Sequence, residues 1–588
     1  MRRQDSFVIA AWAATLFGLV EGSVLLICRA YPAVLAPYKV SVHALWIAPI
    51  VDLILFLAIA LVLPTLLKPV RRWLNGSELL YAYGFFVFLG CFTILVTPRI
   101  IHWASLIILS LGLTVVAYRK LRGSEIALTG YLRRRLLWIP SLILMAGVGA
   151  LGYEITREKW SFHNLPQSPP SAMNVLVVVL DTVRYDSFTR SSERSLTPNL
   201  DRITARGARF RNAWSTTSWS LPSQAAILTG RYPQEHGADW PGLELGEKWP
   251  TMAEYFSRRG YVTGAFSGNA AWITPEYLGR GFLRFDVYLF EDLFRRTTCG
   301  RAISRALWAF GCHPAGRGKK AAALNAQFLK FLDDYRGRPF FAYLCYMDVN
   351  QSFHRRALNH AFWEKTPTTQ EVIDAYKGGL SALDERIGDL FADLERRGVL
   401  KNTLVVITSD HGESFGVECS SDHDPAGHGT SLYPEQTRVP LFVICPGKEA
   451  PQSEMTDVFS TRAIPSIITQ LLGMADSPFY DADLPAIFRS ESEPAGTVPP
   501  ALITLNYEER KIQSVIWDRW QYLKDLKAAG RREELYELPV DPLAKNNLVE
   551  ESPITGPIQG HLRRLLAVGS QTSGAEIMRP TSQTPATR

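Results

Sequence analysis

The first 155 residues carry five long apolar runs, at about Phe7–Cys28, Ala44–Leu67, Leu79–Val96, Ile101–Tyr118 and Leu136–Tyr153. Each is close to the length that crosses a hydrocarbon core as a helix. A backbone in lipid has no water to bond, so a run of this kind must satisfy its own N–H and C=O groups. A single run is compatible with a signal peptide or a buried core helix; five with basic separators read as a membrane domain. Arg2 and Arg3 precede the first run, and Lys68, Arg71 and Arg72 follow the second. Arg119, Lys120, Arg122, Arg133, Arg134 and Arg135 lie between the fourth and fifth, whereas the opposite loops offer only Arg29, Lys39 and Arg99. This asymmetry predicts a cytoplasmic N-terminus and places everything after Tyr153 outside, periplasmic or extracellular. The same loops supply much of the formal net charge of +7, so that charge reflects topology and implies no nucleic-acid partner. Glu21 and Asp52 sit within spans, each about 10 Å below the outer boundary at about 1.5 Å per residue. Acids at such depth are costly, and these two are expected to face each other, or Arg99 and His102.

Beyond the membrane domain (1–155) a proline-bearing linker (156–173) leads to an alternating pattern. Strands are predicted near 174–180, 262–267, 340–346, 403–408 and 440–444. Helices are predicted near 199–206, 221–229, 251–259, 319–335, 369–397 and 462–472. The alternation predicts an α/β core (174–499) with a mostly parallel sheet covered by helices. Residues 500–550 read as a small strand-rich subdomain. The tail from 551, rich in Ser, Thr, Pro and Gly beyond about Ser570, is expected to be partly disordered.

Two strands end in acids. Asn174-Val-Leu-Val-Val-Val-Leu leads into Asp181, and Asn402-Thr-Leu-Val-Val-Ile-Thr-Ser leads into Asp410-His411. Continuous apolar strands are buried on both faces, and ligands bind beyond their carboxyl ends in open α/β sheets. Between them lies Ser220-Leu-Pro-Ser-Gln-Ala-Ala-Ile-Leu-Thr-Gly, read as a short helix capped by Ser220, with Pro222 in its first turn and Gly230 ending it. A hydroxyl at a helix N-terminus sits where an anion is attracted. Two carboxylates, an imidazole and a hydroxyl form a reasonable donor set for a divalent cation.

The order Asp181…Ser220-Leu-Pro-Ser…Asp410-His411 resembles the sulfatase family of the alkaline phosphatase superfamily. So do Thr197-Pro-Asn-Leu-Asp201, Leu228-Thr-Gly-Arg-Tyr-Pro-Gln-Glu-His-Gly237, His428-Gly-Thr-Ser-Leu-Tyr-Pro-Glu and the late Glu534-Leu-Tyr-Glu-Leu-Pro-Val-Asp-Pro542. The resemblance runs from about Asn174 to Leu548. It implies an alkaline phosphatase-like fold, an anionic ester substrate, sulfated or phosphorylated and carried on a glycan or a lipid, and one divalent cation. Calcium is the family's usual ion, with Mn, Mg and Zn as alternatives. Asp181, Asp410, His411 and Ser220 would hold it. Ser220 would be the nucleophile, His428 and Arg184 would neutralise charge on the transferring group, and His354 or His423 would protonate the leaving group. Glu413 would steady the His411 ring, and His236 reads as structural.

The departures from the family pattern are as informative. Its Cys/Ser-x-Pro-x-Arg motif directs conversion of the first residue to formylglycine; here Gln224 replaces the arginine, so Ser220 is expected to stay a serine. Thr182 stands for a second Asp, Asn350 for a histidine, and Ser267-Gly-Asn269 for a lysine-and-histidine word. Of the seven cysteines, Cys299 and Cys312 flank a short segment that a disulfide could close in an oxidising compartment. Cys419 reads as a loop thiol. Three functions are compatible with these residues, in order: a membrane-anchored sulfatase-family hydrolase; a phosphoryl-headgroup transferase or phosphodiesterase acting through unmodified Ser220; and a degenerate member kept for binding.

Overall fold

The computed structural model describes residues 3–30, 41–70, 77–97, 101–169, 171–188, 195–309, 318–358, 368–416, 426–448, 453–479, 488, 499–507, 510–527, 532–549 and 555–571. The chain divides into two compact units: Met1–His163 together with Tyr288–Ala315, and Asn164–Val287 together with Gly316–Arg588.

In the first unit the apolar runs form helices Arg3–Ala30, Ala44–Val70, Glu78–Val96, Trp103–Leu121 and Trp138–His163, with a short Glu125–Arg134 helix before the last. Five of them are long and apolar enough to cross a membrane. The last continues to His163, about ten residues past its apolar part, so the linker begins at Asn164 and not at 156. The first two helices meet through glycine. A Cβ on Gly18 would fall 2.4 Å from Pro49 Cα, and one on Gly22 would fall 2.7 Å from the Ala44 carbonyl. Both Glu21 and Asp52 are wholly buried in this bundle. The Tyr288–Ala315 segment, distant in sequence, joins them: Leu293 and Cys299 pack with Ile47, Val51 and Phe56, and the Thr298 N–H donates to Glu21 Oε1 at 2.6 Å. Of the partners expected for the two acids, His102 instead caps its own helix at Ala104 N, and Arg99 lies outside the described residues. Cys299 is a buried free thiol; Cys312 lies outside the described residues.

The second unit is built on an eight-stranded sheet. Its strands are β1 (Asn174–Leu180), β2 (Ala208–Phe210), β4 (Val262–Ser267), β5 (Arg284–Asp286), β6 (Phe340–Tyr346), β7 (Thr403–Thr408), β8 (Leu441–Ile444) and β9 (Glu454–Met455), in the order β5-β4-β6-β1-β7-β8-β2-β9. The pair β3 (Ala213–Trp214) and β10 (Phe459–Ser460) stands apart. From β5 through β7 every neighbour is parallel; β8 then runs antiparallel to both β7 and β2. Every residue of β4, β6 and β7 is buried, as continuous apolar strands covered on both faces require. Register sets where these strands end. Val179 pairs with Cys345 on one side and Thr408 on the other, and Cys345 pairs with Ser267. The carboxyl ends of β4, β6, β1 and β7 are therefore level. The segments leaving them, Gly268-Asn269, Met347–Asn350, Asp181-Thr182 and Ser409–His411, share one rim. Each helix expected from sequence is present, at Pro198–Thr204, Ser220–Thr229, Met252–Ser257, Ala321–Asp334, Thr369–Arg396 and Ile464–Leu471.

The C-terminal part is an antiparallel sheet of β11 (Ala501–Tyr507), β12 (Arg510–Trp517), β13 (Trp520–Asp525) and β14 (Glu533–Glu537). Residues 572–588, on which the expected disorder falls, lie outside the described residues. Thr555–Gln571 is a helix that buries Leu562 and Leu566 against Leu502, Val515, Tyr522 and Leu535. The i, i+4 spacing of those leucines makes one apolar face, enough to dock a helix.

Candidate active site

The helix carrying Ser220 begins one residue earlier than its cap chemistry suggests. Trp219 takes the extended cap position (φ −146°, ψ 157°), Ser220 is the first helical residue, and Gly230 ends the helix at φ 68°. The Ser220 hydroxyl is thus not used on its own helix. Its Oγ lies 3.4 Å from Asp181 Oδ2 and 3.1 Å from His411 Nε2.

Asp181, Asp410 and His411 each present a ligand atom within 4.8 Å of the others, and all three side chains are wholly buried. Burial, with Asp410 beside it, raises Asp181 to about 8. A pair of buried acids of this kind concentrates negative charge that a dication offsets. The imidazole fits the same role. Burial holds His411 below the usual histidine range, so the ring is neutral. Its Nδ1 lies 2.9 Å from the Gly412 carbonyl, which can only accept, and Nε2 is left with its lone pair toward Ser220 and Asp410. Two carboxylates and one imidazole nitrogen are a fitting donor set for a divalent cation.

The residues that depart from the family pattern surround this set. Asn269 Nδ2 donates to Asp181 Oδ2 and Asn350 Nδ2 donates to Asp181 Oδ1, both at 3.0 Å. Gln224 is buried and donates from Nε2 to Asp410 Oδ2 at 2.8 Å, while its Oε1 accepts from the Tyr343 hydroxyl at 3.0 Å. Thr182, a β-branched residue, is held at φ 65°, in the left-handed region. That strain turns its N–H to Asp410 Oδ1 at 3.3 Å and its hydroxyl back onto the Asp181 carbonyl at 2.6 Å. The His411 N–H also donates to Asp410 Oδ1, at 2.9 Å.

The remaining expected residues divide. His428 comes to the site: its ring centre lies 4.5 Å from that of His411. Its partner corrects the expected role of Glu413, which does not hold His411. Glu413 Oε2 instead bonds His428 Nδ1 at 2.7 Å. Burial opposes a charge on His428, but Glu413, with Asp181 and Asp410 beyond it, outweighs that and raises it to about 9. Arg184 is not free to meet an anion. Its Nε and Nη2 donate to Asp186 at 3.0 and 2.7 Å, Nη1 donates to the Glu413 carbonyl at 3.1 Å, and the group lies over Phe415. A bidentate clamp of this kind positions the loop. His354 is on helix Asp348–Leu358, but its side chain lies outside the described residues, as do His423 and Cys419 entirely. His236 is structural: buried, it bonds the Pro222 carbonyl and the Ala238 N–H, and burial lowers it to about 3. Sequence reasoning missed the aromatic group beside the nucleophile. Trp219 packs on Trp272 and on Tyr507 of β11 at 5.5 and 5.0 Å, a contact no local spacing announces.

The sequence profile of the sulfatase family matches residues 173–474. The chain is 23% identical over 455 residues to a choline-sulfatase of Rhizobium meliloti, covering 66% of this chain and 83% of that one. It is 26% identical over 310 residues to a human N-sulphoglucosamine sulphohydrolase, covering 46% of this chain and 55% of that one. Among solved structures it is similar to the phosphonate monoester hydrolase of Agrobacterium radiobacter, with TM-score 0.55, 19% identity, 68% of this chain and 96% of that one. It is also similar to a 2-O GAG sulfatase, with TM-score 0.52, 18% identity, 67% of this chain and 91% of that one. At such identities the structural likeness establishes the fold.

Proposed function

The chain belongs to the sulfatase family, and on that premise we propose that it is a membrane-anchored, metal-dependent hydrolase of sulfate esters whose nucleophile stands at position 220, as the Ser220 hydroxyl or as the hydrate of a formylglycine made from it. The observation that carries this reading is the approach of Ser220 Oγ to His411 Nε2 and Asp181 Oδ2 at 3.1 and 3.4 Å. A divalent cation held by Asp181, Asp410 and His411 would act as a Lewis acid on a non-bridging ester oxygen and lower the pKa of the hydroxyl. The protein's own groups do the rest. The helix beginning at Ser220 aims the hydroxyl at the reacting atom, and Ser220 Oγ attacks in line. Its proton leaves toward the carboxylates, and the departing ester oxygen takes up a proton from solvent water and leaves as the alcohol. His428, held by Glu413, offers a cation to the charge that develops on the group in transfer. Water then displaces the group from Ser220. The Asp-Asp-His donors suit Mn or Zn as well as the calcium usual in the family, because the imidazole nitrogen is a poorer partner for calcium than an oxygen would be. The family's substrates suggest a sulfated glycan or a lipid-linked ester.

An unmodified serine at position 220 would favour a second reading. The residue at the maturation arginine's place, Gln224, is buried and bonded to Asp410. A serine sulfate is hard to resolve without the hemiacetal of formylglycine, whereas a phosphoserine yields to assisted displacement. A phosphodiester or phosphonate ester is therefore the alternative substrate. Mass spectrometry of the tryptic peptide 212–231 decides between them. Intact Ser220, trapped by phosphoryl but not sulfate esters, supports the second reading; loss of two hydrogens at Ser220 supports the first. The basic-loop asymmetry supports a cytoplasmic N-terminus and an outer catalytic unit. Reporter fusions near residues 125 and 165 are expected to give opposite signals, and like signals would overturn the orientation.

A further inference from the structure

The far side of the large sheet gathers a second cluster of charge. Leu441, at the start of β8, pairs with Thr408 of β7 on one side and with Phe210 of β2 on the other. The end of β2 is therefore level with the end of β7 and two strands away, about 10 Å at about 4.8 Å per strand. Arg211 follows the end of β2, and Arg438 lies three residues before Leu441. Together with Arg209 they line a cavity of about 190 Å³, whose other walls include the rings of Tyr185, Phe188 and Phe442. The cavity shares no lining residue with the Asp181, Asp410 and His411 donor set.

The three guanidiniums are oriented by neutral or shared partners. Arg438 donates through Nε and Nη2 to the Arg211 carbonyl at 3.2 and 2.6 Å, and its guanidinium lies over the Tyr185 ring at 4.3 Å. Neither partner is an anion, and burial pulls Arg438 below the usual arginine range. Arg209 is fixed by the Phe188 carbonyl, which accepts from Nη2 at 2.8 Å. It shares one carboxylate with Arg211: Glu454 lies 3.8 Å from the first and 3.2 Å from the second. Like charges that converge on one small cavity repel each other, and an anion among them reverses the sign of that interaction. A planar fork of N–H donors matches the oxygens of a tetrahedral oxyanion, and the aromatic walls lower the local dielectric that such a pairing feels. The volume has room for one oxyanion with water beside it.

We propose that the cavity of Arg209, Arg211 and Arg438 is an accessory oxyanion site, which takes one sulfate or phosphate group apart from any ester at Ser220. The group arrives as a second charged substituent of the substrate or as the free anion; the recognising chemistry is the same for both. Binding there needs no metal and no turnover, so the site stands or falls independently of the hydrolase reading.

The test uses the full-length protein in detergent, with a chelator present and ionic strength held constant with chloride. Radiolabelled inorganic sulfate and inorganic phosphate are titrated by equilibrium dialysis. The expected result is saturable binding that Ser220→Ala retains and Arg211→Gln weakens by about tenfold. Arg211 is half-exposed, and the melting temperature checks that this variant is folded. Arg438→Lys keeps the charge but loses the fork, and is expected to weaken binding by a similar factor. Absence of saturable binding to the unaltered chain would overturn the proposal. So would equal affinity in the unaltered chain and in folded Arg211→Gln. Displacement of the label from the Ser220→Ala protein separates the two sources. A disulfated disaccharide that displaces sulfate at about tenfold lower concentration than its monosulfated counterpart assigns the site to a second group on the substrate. Equal displacement by the two assigns it to the free anion.

Discussion

The protein buries two pairs of acids, one in each unit, and they are built in opposite ways. In the catalytic unit Asp181 and Asp410 receive donors from Asn269, Asn350, Gln224 and the Thr182 and His411 backbone. An imidazole completes the set. In the membrane unit Glu21 accepts from the Thr298 N–H through one oxygen. Its other oxygen and both oxygens of Asp52 accept from no N–H or O–H among the described residues. Burial alone does not make a metal site. N–H donors on a carboxylate fix its orientation and offset part of the cost of burying it, and an imidazole nitrogen beside the pair completes a donor set for a cation. The catalytic pair is prepared for an ion; the membrane pair is a polar contact that seats the N-terminal end of the Thr298–Ala309 helix.

The contrast is testable, beginning with its largest consequence. Asp181→Ala or Asp410→Ala is expected to abolish metal binding and lower kcat/KM by about 10³-fold or more, the scale of several kcal/mol of lost charge stabilisation. Glu21→Ala and Asp52→Ala are expected to leave metal content unchanged. Metal analysis of the purified protein checks both, and metal loss from the membrane-unit variants would erase the distinction between the pairs.

A smaller effect is expected from the donor shell. Gln224→Leu keeps the volume but removes the N–H on Asp410, and metal affinity should fall by about 10- to 100-fold. Unchanged affinity in a competitive chelator titration would mean that the donors are incidental.

The next effect is one of pH. His428 is charged until about 9 because Glu413 outweighs its burial. A histidine raised above its unfolded value stabilises the fold fully below about 6.5, and loses that contribution as pH climbs to its folded value. Turnover that needs the cation should fall over the same upper range. Glu413→Gln should move the alkaline fall of kcat/KM from about 9 toward about 6.5. An unmoved profile would remove His428 from the anion's partners. The smallest effect belongs to the membrane unit. Glu21→Gln keeps an acceptor for the Thr298 N–H and should leave thermal stability in detergent nearly unchanged, whereas Glu21→Leu strands that donor and should cost about 1–3 kcal/mol. Equal melting temperatures for the two would deny the contact.

Much of the catalytic unit is legible from particular residues. The β-branched run before Asp181 and the one before Asp410 announce two central strands, because a strand covered on both faces can carry no polar residue until it leaves the sheet. The resemblance carried by Ser220-Leu-Pro-Ser joins them to a nucleophile. The expected roles of Arg184 and Glu413 fail for one reason. Spacing tells which residues leave a strand end together, but not which charge a side chain will meet first. Arg184 meets Asp186 two residues on, and Glu413 meets His428, far beyond its neighbours along the chain. The Thr555–Gln571 helix is absent from the elements expected from sequence, although Leu562 and Leu566 carry its docking face.

The sequence by itself determined what depends on neighbours along the chain: five apolar helices, the parallel core strands, the acids at their ends and the helix from Ser220 to Gly230. Those arise from hydrophobic period, strand composition and local backbone preference. The tertiary structure alone decided what depends on register. It levelled four strand ends so that Asn269 and Asn350, 81 positions apart in the numbering, close on the two oxygens of one carboxylate. It also folded Tyr288–Ala315 with helices nearly three hundred residues away. Pairing across a sheet and packing across a bundle set these distances, and neither leaves a local mark in the chain.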